Sequence, residues 1–159
     1  MPDESIAAAD RPVDFDELYA SQWQRLVRFA ALTTGSVALG EEIVQDAFFD
    51  LHRRWGQVAQ PTAYMRRAVS SRCTSWVRRQ QLERRVTSDQ PLTARDDSLL
   101  EMLDALRVLS GRQRAAVVLR YVEMLSEAEI AVALSCRPGT VKSLLARAHA
   151  RLKKELDPQ

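Results

Sequence analysis

Apolar residues recur three and four positions apart along most of this chain, and no stretch alternates strictly. That period predicts α-helices and leaves no candidate strand. The first stripe is Phe15, Leu18, Tyr19, Trp23, Leu26, Val27 and Ala30, behind an Asp14–Glu17 pair with capping-box spacing. Thr33-Thr34-Gly35-Ser36 ends it. A second stripe runs Ile43, Val44, Ala47, Phe48, Leu51 and Trp55, and Gly56 to Gln60 is a short break. Pro61 suits a first helical position, where its missing N–H is no loss. The third stripe is Tyr64, Met65, Ala68, Val69, Cys73, Trp76 and Val77.

Between residues 82 and 97 the pattern dissolves into LERRVTSDQPLTARDD, which reads as a flexible, solvated linker. Helix starts then follow closely. Ser98 with Glu101, Ser110 with Gln113 and Ser126 with Glu129 each have capping-box spacing, and Leu125 with Ile130 has that of a hydrophobic staple. The expected fold is all-α: two small helical domains joined by a flexible linker. The expected boundaries are a disordered leader at 1–12, one domain at 13–81, the linker at 82–97, and a second domain at 98–159.

The C-terminal domain carries the first chemistry. In EAEIAVALSCRPGTVKSLLAR a short helix (126–134) turns Ile130, Ala131 and Leu134 inward, and Ala131 is small where two helices must cross closely. Ser135-Cys136-Arg137-Pro138 is a tight break. The next helix buries Val141, either Leu144 or Leu145, Ala148 and Leu152. Two short helices around such a turn predict a helix-turn-helix, whose second helix enters the DNA major groove N-terminal end first. Gly139, Thr140, Lys142 and Ser143 lie at that end, followed by Arg147 and Arg151. Backbone N–H groups and the two hydroxyls suit phosphates, and Lys142 suits a base edge or a phosphate. The bland alternative is a helical hairpin with a solvated basic face.

Charge sharpens this reading. The chain of 159 residues has a net charge of only +2, with 46% hydrophobic residues to build a core. The small total is a cancellation. Residues 1–20 carry −5, 21–50 carry −2, 51–81 carry +7 with no acid at all, 82–104 carry −3 and 105–159 carry +5. Such asymmetry points to a polyanion partner. The acid-free zone centres on Arg66, Arg67, Arg72, Arg78 and Arg79, on a helix that also carries Tyr64 and Trp76. Arginines interleaved with aromatics suit unpaired nucleic acid, since guanidinium groups take phosphates and a ring can stack on a base. Tyr64 and Trp76 could equally be core.

Other classes fall away. No uncharged apolar run reaches membrane-spanning length, and the acidic start lacks the apolar core of a signal peptide. Cys73, Cys136, His52 and His149 are scattered singly, without metal spacing. Neither a nucleophile–base pair nor a phosphate-cradling glycine loop is present. No catalysis, no metal and no cofactor are therefore expected, and the two thiols fit a reducing cytoplasm.

Taken in order, FDELYASQWQRLVRFAALTTG, EEIVQDAFFDLHRRW, PTAYMRRAVSSRCTSWVRR, LRVLSGRQRAAVVLRYVEMLSEAEIAVAL and GTVKSLLARAHARL resemble the extracytoplasmic-function (ECF) sigma factors of bacterial RNA polymerase, in particular the actinobacterial SigE-like branch. The resemblance covers nearly the whole chain apart from the leader and linker. It implies that 13–81 is sigma region 2 and 98–159 is sigma region 4. It places Gln45, Asp46, Phe49 and Arg53 on the polymerase-docking face, with one of Phe48 and Phe49 in the core. It places Val58 to Thr62, Tyr64, Arg66, Arg67, Arg72, Trp76, Arg78 and Arg79 near the melting −10 element. Region 4 would read the −35 element through Arg137, Gly139, Thr140, Lys142, Ser143 and Arg147.

The resemblance further implies core RNA polymerase, promoter DNA and an anti-sigma factor as partners, with no membrane insertion by this chain itself. Three positions depart from the family: Ser135 and Met124 stand where Gly is common, and Leu144 stands where Arg or His is usual. The expected function is promoter recognition and −10 melting for transcription initiation. A stand-alone helix-turn-helix regulator, binding duplex DNA without polymerase, is the alternative.

Overall fold

A computed structural model describes residues 14–83 and 96–157. The expected leader, and all but the ends of the expected linker, lie outside them. Seven α-helices are described: α1 (Phe15–Thr34), α2 (Val37–Arg53), α3 (Pro61–Glu83), α4 (Asp97–Leu106), α5 (Gly111–Tyr121), α6 (Glu127–Ala133) and α7 (Pro138–Leu156), with a short 3-10 turn at Trp55–Gln57. No strand occurs among the described residues.

The first three helices form an antiparallel bundle. Its core takes Leu26, Ala30, Val44, Leu51, Met65, Val69, Cys73 and Val77, all buried, so the predicted stripes face one another. Phe48 is buried in an aromatic cluster, with Tyr19 4.8 Å and Phe15 6.0 Å away between ring centroids. Gly35 turns the chain between α1 and α2 at φ 81, a left-handed conformation open to glycine at no steric cost. Gly40 has a different role. A Cβ there would lie 2.8 Å from the Ala31 nitrogen and 3.2 Å from the Val27 carbonyl oxygen. Backbone of α1 therefore passes directly over backbone of α2.

Two helix starts differ from expectation. Asp14 is the N-cap of α1, but its side chain makes no capping hydrogen bond. At α4 the cap is Asp96, whose carboxylate accepts from the Ser98 and Leu99 N–H groups, in place of a Ser98–Glu101 box. The Asp96 carboxylate also meets Arg28 at 3.0 Å, so one group caps α4 and ties it to α1. The boxes at Ser110–Gln113 and Ser126–Glu129 form in full. The Glu129 carboxyl is held below its usual range by hydrogen bonding to Ser126.

Helices α4 to α7 make the second bundle. Leu99, Leu103, Leu106, Ala116, Leu119, Ile130, Leu134, Val141, Leu145 and Ala148 are buried in it. Its apolar interior is continuous with that of the first. Helix α5 packs on α1 and α3, α4 packs on α1, and α6 touches α3. The two halves are therefore closed against each other.

Two loops hold residues in the left-handed region without being glycine: Met124 at φ 57 and Ser135 at φ 52. These are two of the positions at which the sequence resemblance leads one to expect Gly. A side chain with a Cβ in that conformation costs about 1–2 kcal/mol. Met124 is 78% exposed and contributes little packing. Met124→Gly should raise unfolding stability by about 1 kcal/mol, net of the glycine's greater chain entropy. An unchanged or lower urea midpoint would show that the loop carries no such strain.

Candidate nucleic-acid interface

Helix α6, the break at Leu134 to Arg137, and α7 form the helix-turn-helix. Ser135 supplies the left-handed residue of the turn, and the Cys136 N–H donates to the Ala131 carbonyl at 2.9 Å. Pro138 occupies the first turn of α7 and Arg137 is its N-cap, with no side-chain capping bond. Val141, Leu145 and Ala148 face inward, which settles the register: Leu145 is buried, and Leu144 is half-buried. On the opposite side Arg137, Gly139, Thr140, Lys142, Ser143 and Arg147 are all exposed. Nothing lies within 4 Å of a Cβ built on Gly139, so a phosphate can approach the backbone there.

Helix α3 sorts its residues differently. Thr62, Arg66, Arg67 and Arg79 are exposed, while Tyr64 and Trp76 are half-buried against the core. Arg72 joins Arg53 on the Asp50 carboxylate, bracing α3 to α2. The hydrogen bond from Arg53, followed by the charge of Arg72, holds that carboxyl below its ordinary range. Arg78 donates to the Ser135 hydroxyl at 2.5 Å and to the Ser75 hydroxyl at 3.2 Å. Arg66 meets Glu123 at 3.4 Å. The predicted set is thus brought to one helix, but only Arg67 and Arg79 among its five arginines make no polar contact to another described side chain.

On α2, Gln45, Asp46, Phe49 and Arg53 share an exposed face. Phe49 is 60% exposed and Phe48 3%, which resolves which of the two is core. A large apolar ring left in water beside an acid suits a protein partner.

Residues 99–152 match the family described as Sigma-70, region 4. The RNA polymerase sigma-E factor of Streptomyces avermitilis is 34% identical over 91% of this chain and 86% of its own length. The sigma-E factor of Streptomyces coelicolor is 33% identical over the same shares. The chain belongs to the ECF RNA polymerase sigma factors. The ECF factor SigM of Mycobacterium tuberculosis is also similar, at 32% identity over 89% of this chain and 76% of its own. A solved RpoE sigma factor from Bartonella quintana, crystallised with the anti-sigma factor NepR, shares the fold. It has a TM-score of 0.56 at 23% identity, covering 90% of this chain and 96% of that one.

Sequence reasoning missed one prominent feature of this sigma factor. The Arg114 guanidinium on α5 donates to the Thr33 and Thr34 carbonyls at 3.1 and 3.0 Å, closing the C-terminal end of α1. Burial lowers its pKa. An arginine among GRQRAAVV carries no signal of a partner eighty residues away. Cys73, by contrast, is an inert core thiol, pushed up to about 12 by burial. Among the described residues no His, Cys, Asp and Glu cluster could hold a metal, and no helix is long and apolar enough to cross a membrane.

Proposed function

We propose that the sigma factor divides its work among three surfaces. Gln45, Asp46, Phe49 and Arg53 on α2 dock on core polymerase. Thr62, Arg66, Arg67, Arg78 and Arg79 on α3 track the strands of the −10 element, with Tyr64 and Trp76 beside them as partly covered rings. Arg72 positions α3 through Asp50. Arg137, Gly139, Thr140, Lys142, Ser143 and Arg147 read the −35 element. The observation that carries this division is spatial. The exposed acid-and-aromatic face of α2 and the arginine face of α3 belong to one rigid bundle, while the helix-turn-helix belongs to another, as a two-element reader requires.

Physically, two weak contacts on one tether act as one strong contact, because binding of the first raises the local concentration of the second. Unpairing −10 bases costs a few kcal/mol, offset by stacking and by phosphate contacts on α3. Polymerase performs the chemistry, and this chain is not itself an enzyme. It acts in the cytoplasm, where polymerase and promoters are, and an anti-sigma factor is a fitting regulator, since its structural relative is seen with one.

Run-off transcription with purified core polymerase on genomic promoter fragments tests the reading. Promoter-dependent transcript should appear only when the protein is added. Tight duplex binding without polymerase, and no transcript, would instead identify a stand-alone regulator. Phe49→Ala should lower affinity for core polymerase at least tenfold, the usual scale for a central aromatic anchor, while leaving thermal stability unchanged. Unchanged polymerase affinity would remove α2 from the docking face.

A further inference from the structure

Two of the residues that join the halves, Arg66 and Arg78, belong to the α3 face proposed to meet DNA. Helix α1 ends with no basic residue in its last turn, so its C-terminal carbonyls lack a cation of their own. The Thr33 and Thr34 hydroxyls bond back to Phe29 and Ala30 and do not relieve this. Arg114, from the other half, does: it gives two charge-assisted hydrogen bonds at the negative end of the helix dipole. Gly35 makes the approach possible, since a Cβ there would sit 3.0 Å from the guanidinium. Beyond this contact, Glu123 holds Arg66, and Ser135, in the turn of the helix-turn-helix, holds Arg78. A groove of about 660 Å³ separates α3 from α6 and its flanking loops, lined by Arg66, Arg67 and Arg78 on one side and Glu123 and Glu129 on the other. The polymerase-facing residues Gln45, Asp46 and Phe49 remain exposed on α2.

We propose that Arg114 is the latch that holds the free protein closed: its cap on α1 keeps Arg66 and Arg78 engaged with the other half while the α2 docking face stays open. The inference rests on α3 being a DNA-contacting helix. A ligand can shift a two-state equilibrium only by its differential affinity for the two states. Polymerase that grips both halves in a separated arrangement supplies that difference. DNA alone meets a surface on which Arg66 already faces Glu123 and Arg78 is turned to the Ser135 hydroxyl.

The full chain, without polymerase, gives the test. The wild type, Arg114→Ala and Arg114→Lys are compared by small-angle X-ray scattering and by binding to a 60-base-pair duplex of mixed sequence over a range of salt. Arg114→Ala should raise the radius of gyration by several Å above that of the wild type. It should also steepen the salt dependence of DNA binding by up to about 2 in log–log slope, as two arginines become free to displace counterions. The sign is diagnostic, because deleting a cation from an open protein flattens that slope. Arg114→Lys, which keeps a cation at the end of α1, should fall between the two.

Glu123→Gln frees Arg66 without touching the α1 cap, and should steepen the slope by about 1 with little change in scattering. It provides the reading should Arg114→Ala fail to fold. Scattering and slope both unchanged in Arg114→Ala would overturn the latch. Expansion without a steeper slope would overturn the masking of DNA contacts, and an unchanged slope in Glu123→Gln would do the same. Neither result bears on the run-off assay, in which polymerase is present, so failure of the latch and failure of the sigma reading remain distinct.

Discussion

Changing Arg66 and Arg67 together to Ala should reduce promoter opening by one to two orders of magnitude while core polymerase binds almost as before. Both side chains are exposed on α3, and neither supports the core beneath, which is made by Met65, Val69, Cys73 and Val77. The loss therefore falls on DNA. Each guanidinium that neutralises a phosphate releases counterions, so removing two should flatten the salt dependence of promoter binding by about 2 in log–log slope. The aromatic part of any −10 contact stays in place, since Tyr64 and Trp76 are held by the bundle. Permanganate footprinting of unpaired thymines reads opening, and a polymerase pull-down reads docking. Equal loss in both would refute the separation of α2 and α3 into polymerase and DNA faces. In the free protein the same change also removes the Arg66–Glu123 contact, so its effect is to be read in the polymerase-bound complex.

Periodicity made most of the fold legible because most helices bury one stripe; α1 is the exception, buried at every position from Phe29 to Thr34, where both halves pack on it. The α3 stripe at Met65, Val69, Cys73 and Val77 and the α7 stripe at Val141, Leu145 and Ala148 emerge at the predicted spacing. Capping boxes were legible where serine has no competitor, at Ser110 and Ser126. At α4 two acids precede Ser98, and Asp96 takes the cap because it also reaches Arg28. That second bond is tertiary and left no local trace.

The candidate site was legible as a set of residues, not as a set of states. Sequence placed five arginines on α3, yet the structure gives them different employment: Arg72 braces α2, Arg66 and Arg78 reach the other half, and Arg67 and Arg79 are exposed with no polar contact to another described side chain. An acid-free stretch says only that the partners lie elsewhere in the chain or outside it. The departures at Met124 and Ser135 acquired a physical meaning that spacing could not supply. Both sit at positive φ, where glycine fits without strain. Ser135 has an evident return for its strain in the hydroxyl that receives Arg78, whereas Met124 has none.

Gly40→Ala should destabilise the protein, against what helix propensity alone dictates. In an open helix that change gains about 1 kcal/mol. Here the added Cβ would lie 2.8 Å from the Ala31 nitrogen and 3.2 Å from both the Ala31 Cα and the Val27 carbonyl oxygen. All three atoms are backbone of α1, and Ala30, Ala31 and Leu32 around them are buried, so no flexible side chain can yield. The helices must move apart, opening the best-packed crossing of the first bundle. Overpacking of this kind costs about 1–3 kcal/mol and here outweighs the propensity gain.

The expected result for Gly40→Ala is a lower urea midpoint at an unchanged m-value. Helix α2 carries Gln45, Asp46 and Phe49, and its register against α1 sets where they stand. Polymerase affinity should therefore fall even at temperatures where the variant is fully folded. Gly56→Ala is the matched control: a Cβ there meets nothing within 4 Å. If Gly40→Ala unfolds at a higher midpoint than the wild type, propensity has won and the α1–α2 crossing is looser than these distances state.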